Sequence, residues 1–112
     1  MNEGGRGPVG REKRRLTRAY KATFLTIRSV INEHDPVGLM EAGCPDDEYD
    51  AEVTTILARL PRASSVDDVK MILYQEFDRA FGPSSTGPSA YESASRDVWQ
   101  AWITSPLGGQ SS

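Results

Sequence analysis

The sequence predicts an all-α protein, a small helical bundle of three to four helices. Three observations point there. Apolar residues recur at three- and four-residue steps in four separate stretches. Proline and glycine fall between those stretches rather than inside them. No segment shows the period-two alternation that a half-buried strand requires.

Taken in order, residues 1–11 are rich in glycine and read as a disordered lead with little to bury. The first helix is expected over 12–34, with Leu16, Tyr20, Thr23, Phe24, Ile27, Val30, Ile31 and His34 along one side. Asp35-Pro36 stops it, because proline disfavours the α conformation in the residue before it. Asp35 is expected to cap a single turn that Gly43 closes, with Val37, Leu39 and Met40 tucked inward.

Pro45 is expected to open a second helix over 45–60, placing Asp46, Asp47 and Glu48 in its first turn, at the positive end of the helix dipole. Its apolar face is Tyr49, Val53, Ile56, Leu57 and Leu60. A third helix, 65–81, follows an N-cap signal at Ser64-Ser65 and carries Val69, Ile72, Leu73, Phe77, Ala80 and Phe81 along its apolar face. After the Gly82–Ser89 joint, Ser89 and Glu92 fit a capping box for a fourth helix over 89–104. Its three serines and split apolar face make it the weakest of the four, suited to loose packing or to a partner. Trp99 and Trp102 lie on it as core residues or as an interaction face. Residues 106–112 read as a disordered tail, so residues 12–105 form the one domain that 112 residues support.

Composition narrows the chemistry. A single cysteine, Cys44, rules out an intrachain disulfide and fits a reducing compartment. No run approaches the roughly 18 apolar residues of a membrane span, and the first ten residues lack the apolar segment of a secretory signal. A cytoplasmic protein without membrane contact is the expectation. The net charge of −3 conceals an asymmetry. Residues 1–28 hold eight Lys/Arg and two acids, whereas residues 29–112 hold five bases and fourteen acids. Such a division can attract two kinds of partner, or attract the protein's two halves to each other.

With one histidine and one cysteine, a zinc site of thiolate and imidazole ligands is ruled out on ligand count. On a helix, Asp46 would share a face with Asp50 and Glu48 with Glu52, pairs that could hold a divalent ion. A solvated helix start or a docking surface explains the same residues more simply. His34 and Cys44 could meet across the connection as a dyad, but a packed, hydrogen-bonded histidine is the plainer reading. No nucleophile elbow, phosphate loop or dinucleotide fingerprint occurs. The expectation is a non-enzyme without metal or cofactor.

The spacing Asp35-Pro36-Val37-Gly38-Leu39 followed by Pro45-Asp46-Asp47-Glu48-Tyr49-Asp50 and Glu52 resembles a family of small bacterial helical proteins, domain of unknown function 1871. The resemblance runs from Leu16 to Gly82 and includes Phe77 and Phe81-Gly82. Where that family often carries Trp before the Asp-Pro, this chain has His34. The resemblance implies an all-helical fold and no established activity.

Two functions are therefore expected. The first is a non-catalytic interaction module, immunity- or antitoxin-like, that docks a basic protein through Asp46, Asp47, Glu48, Asp50 and Glu52. The alternative is a nucleic-acid-associated regulator that contacts phosphates through Arg14, Arg15, Arg18 and Lys21 of the first helix.

Overall fold

In the computed structural model, residues 3–83 and 87–108 are described, with side chains from residue 12 onward. Four α-helices, α1 (Glu3–His34), α2 (Asp50–Arg59), α3 (Val66–Phe81) and α4 (Glu92–Ile103), make an all-α fold with no strand among the described residues. Single 3-10 turns extend α2 (Leu60–Arg62) and precede α4 (Pro88–Tyr91). Helix α1 packs on α2 and α4, and α3 packs on the same two, so the four close around one core. None of these helices is long and apolar enough to cross a membrane.

The core takes Ile27 and Ile31 from α1, Val53 and Ile56 from α2, Val69, Leu73 and Phe77 from α3, and Val98 and Trp102 from α4. Tyr49 lies at its centre, edge-on to Phe77 at 5.7 Å between ring centroids. Phe77 in turn stacks on Tyr91 at 5.8 Å. Offset and edge contacts of this kind add to the area that the rings bury.

Local signals fix several helix ends. Ser65 caps α3 by accepting the Asp68 N–H at 3.2 Å, and the Asp68 carboxylate accepts the Ser64 N–H at 2.8 Å. These reciprocal bonds satisfy two amide groups that the helix start would otherwise leave unpaired. At the other end Gly82 turns out of α3 with φ of +91°, a conformation open to a residue without a Cβ. Asp35 ends α1 at φ +49°, the left-handed region that Asp tolerates better than most residues.

Elsewhere the structure departs from the sequence reading. Helix α1 starts at Glu3, ahead of the expected 12, because adding a residue to an existing helix avoids the nucleation cost that glycine propensity alone leaves out. Leu16 and Tyr20, placed along the apolar side of the first helix, are 45% and 43% exposed. The reason is length: 32 residues span about 48 Å, and the other helices, of 10 to 16 residues, span about 15–24 Å. The Ser89–Glu92 capping box does not form; Tyr91 stands at the N-cap of α4 without a side-chain cap bond. Helix α4 is not loosely held, since Val98 and Ser95 are fully buried and Ser95 donates its hydroxyl to the Glu92 carbonyl.

The first part of the expected disordered tail is folded, while residues 109–112 lie outside the described residues. Ser105 Oγ donates to the Trp102 carbonyl at 2.7 Å and accepts the Gly108 N–H at 2.8 Å. This turn brings Gly108 so close to Trp102 that a Cβ there would lie 2.2 Å from the Trp102 carbonyl oxygen.

Candidate functional site

The segment between α1 and α2 is organised by one side chain. Tyr49 is fully buried, and its hydroxyl donates to Asp35 Oδ1 at 2.8 Å. The Tyr49 hydroxyl oxygen in turn accepts the N–H groups of Val37 (3.1 Å) and Leu39 (3.3 Å). Asp35 completes the clamp by accepting the Met40 N–H on Oδ1 (2.9 Å) and the Glu41 N–H on Oδ2 (3.0 Å). Backbone groups that a non-helical connection would leave unpaired are thus satisfied. Burial opposes ionisation of Asp35, but the Met40 and Glu41 N–H groups, Tyr49 and Leu39 outweigh it and hold its pKa below the ordinary 3.8. Burial likewise raises the pKa of Tyr49, with Asp35 adding to the effect.

The clamp dictates the path of the acidic residues. Asp46, Asp47 and Glu48 do not form a first helical turn, because the backbone makes two successive turns to bring Tyr49 inward. Glu48 N–H bonds Pro45 O at 3.1 Å, Asp50 N–H bonds Asp47 O at 3.1 Å, and α2 begins only at Asp50. The expected i,i+4 carboxylate pairs on one helix face therefore do not exist. Among the described residues no three His, Cys, Asp or Glu side chains are grouped so as to hold a metal ion.

The five acids divide into two groups. Asp50 accepts Arg28 through both oxygens, from Nε at 2.9 Å and Nη2 at 2.8 Å. This bidentate pair ties α2 to α1. Glu52 is half-buried, its pKa raised first by burial and further by Glu48. Asp46, Asp47 and Glu48 are exposed and carry no ion pair among the described residues. They form a short acidic ledge. Asn32 pins it by donating Nδ2 to the Asp46 carbonyl at 2.9 Å, and Tyr49 anchors its other end. Asp50 bonding and its charge, with smaller contributions from Asp47 and Asp46, favour the charged form of Arg28.

The basic residues lie on the opposite part of the first helix from that pair. Lys13, Arg14, Arg18 and Lys21 are exposed and without an ion pair among the described residues; Arg15 pairs with Glu12 on its own helix. Of the two outcomes that the charge division allows, attraction between the protein's own halves is realised at Arg28, which pairs with Asp50.

His34 bonds Asp97 of α4, Nε2 to Oδ2 at 2.7 Å, and so ties the two helices together. No hydrogen bond joins it to Cys44, which is half-buried and free. Trp102 is a core residue whose edge, with the half-buried Trp99, also lines a shallow apolar groove of about 340 Å³ formed with Pro61, Ala63, Ile103 and Leu107. A buried carboxylate escaped sequence reasoning. Glu76 is 4% exposed and accepts Arg59 at 2.9 Å and Arg79 at 3.1 Å. The i,i+3 spacing of Glu76 and Arg79 was its one available signal. Comparison with family models, with curated proteins and with solved structures finds no match.

Proposed function

We propose that this protein is a non-catalytic, cytoplasmic interaction module that docks a basic protein partner on the ledge Asp46-Asp47-Glu48. The most concrete form is an immunity- or antitoxin-like neutralisation of a bacterial toxin with an electropositive active site. The observation that carries the reading is a row of three exposed carboxylates without an ion pair among the described residues, tied at its two ends by Asn32 and Tyr49. A segment already ordered by the Tyr49–Asp35 clamp and by Asn32 loses little further freedom on binding. Its negative charge speeds encounter with a basic surface and selects against acidic ones. Asp50 is taken up by Arg28 and Glu52 is half-buried, so neither is assigned to the partner contact.

The test is affinity capture at low and high salt after nuclease treatment, with wild type beside the triple variant D46N/D47N/E48Q. Wild type is expected to retain a stoichiometric basic protein that the triple variant loses while its helical circular-dichroism signal is unchanged. Equal capture by both proteins overturns the assignment to the ledge.

A further inference from the structure

The acidic ledge and the unpaired cations of α1 lie at two ends of one face. Arg14, Arg18, Lys21, Arg28 and Asn32 follow one another at steps of four, three, seven and four residues. At about 3.6 residues per turn these steps keep all five on one side of the helix. Arg14, Arg18, Lys21, Ala22, Leu25 and Ser29 on this side are exposed, while Thr23 and Ile27, across the helix from them, are fully buried. Near the C-terminal end of α1 the ledge is fastened to the same side, by Asn32 to the Asp46 carbonyl and by Arg28 to Asp50. The face therefore runs from the cations Arg14, Arg18 and Lys21 to the carboxylates Asp46, Asp47 and Glu48, all without an ion pair among the described residues. Leu25, 43% exposed, stands between the two charges, seven residues from Arg18 and seven from Asn32.

We infer that this face pairs two copies of the chain antiparallel, Arg14, Arg18 and Lys21 of each copy lying against the ledge of the other and Leu25 meeting its counterpart on the two-fold axis. The inference rests on the ledge as a docking surface and names a second copy as a basic partner that it takes. Charge complementarity chooses the occupant. A two-fold interface sets the same patch of both copies together, so it attracts only where the patch carries both charges on opposite sides of the axis. Here the cations and the ledge each begin about 10 Å from Leu25 along the helix, so a half-turn about that residue lays one over the other. The antiparallel arrangement also sets the helix dipoles in opposition, which favours it. Ala22 and Ser29 beside Leu25 are short enough to let two helices approach, and the result is an apolar centre within a charged rim. Nucleic acid suits the cations through its phosphates, but a duplex laid along α1 would meet the ledge on the same face and be repelled there. A foreign basic protein on the ledge would displace the second copy.

The test is sedimentation equilibrium of the full chain at about 0.01 M and about 1 M salt, where charge is screened over about 30 Å and about 3 Å. Wild type is expected to dimerise at low salt and to do so at least about tenfold more weakly at high salt. R14E/R18E/K21E and D46K/D47K/E48K are each expected to be monomeric with an unchanged helical circular-dichroism signal, since every substituted side chain is exposed. Mixed in equal amounts, these two variants are expected to pair with each other, because each supplies the charge that the other now needs. L25D is expected to weaken the wild-type dimer at least about tenfold. A wild type that stays monomeric at low salt, a dimer indifferent to either charge reversal or to L25D, or reversed chains that do not pair overturns the proposal. So does a monomer that instead binds a DNA duplex of about 20 base pairs through Arg14, Arg18 and Lys21. The ledge as a site for a foreign protein is judged separately, by capture with wild type beside D46N/D47N/E48Q, so the two failures are told apart.

Discussion

The two halves of α1 obey the same sequence rule and meet opposite fates. Residues 19–34 repeat apolar side chains at helical spacing and bury Ile27 and Ile31 completely. Residues 12–18 keep the spacing through Leu16 but bury nothing. The difference lies in the neighbours rather than in the helix. Where α2 and α4 lie alongside, each buried aliphatic side chain gains about 1.5–3 kcal/mol from leaving water. Beyond them, helical hydrogen bonds and weak side-chain pairs such as Glu12–Arg15 are all that holds the chain. An amphipathic pattern thus tells which side of a helix can be buried, and only the lengths of the surrounding elements tell whether it is.

The largest test of that contrast is Ile27→Ala. It removes a fully buried side chain between α1 and its neighbours and is expected to cost about 2–5 kcal/mol in chemical denaturation. A loss below about 1 kcal/mol would mean that the buried half does not anchor α1.

Next comes the clamp at the end of the buried half. Tyr49→Phe keeps the ring in the core but deprives Val37 N–H, Leu39 N–H and Asp35 of a partner, at an expected cost of about 1–3 kcal/mol. The same variant is expected to accelerate amide exchange across residues 37–41.

A smaller effect concerns acid. Because the folded pKa of Asp35 is lowered, its contribution is complete above the unfolded value and is lost as pH falls through the folded one. The melting temperature of wild type is therefore expected to fall below about pH 4. Glu12, Asp68 and Glu92, also lowered by their partners, share in that decline. Asp35→Asn keeps a residue that tolerates positive φ and carries no charge to neutralise. It is expected to start from a lower plateau and decline less steeply; parallel acid limbs would remove Asp35 from the account.

The smallest effect belongs to the projecting half. Leu16→Ala is expected to change stability by less than about 0.5 kcal/mol. Amides of residues 12–18 should exchange far faster than those of residues 27–34, since local opening there exposes no core. Strong protection of residues 12–18 in the isolated protein would erase the distinction between the halves.

Much of this arrangement was legible from residue spacing. Val53, Ile56, Leu57 and Leu60 are core residues at the intervals that predicted them, and Ser65 caps α3 as its type and position suggest. What escaped is non-local. Nothing in a helical period reveals that the Tyr49 hydroxyl reaches back fourteen residues to Asp35. Pro45 and three acids signal a helix start, yet the chain makes two turns first and α2 begins at Asp50. For the same reason the acidic cluster was seen as five equivalent residues. Only the fold shows Asp50 engaged with Arg28, Glu52 half-buried, and three carboxylates left on the outside.

The clamp also shapes what a genetic dissection of this protein would return. A selection for lost partner binding would be expected to recover changes at Asp35 and Tyr49 together with changes at Asp46, Asp47 and Glu48. The Asp35 carboxylate is engaged by Met40, Glu41 and Tyr49, and Tyr49 itself is fully buried. They would register because they hold the ledge in place, and a map of such hits drawn without the fold would misplace the interface toward the interior.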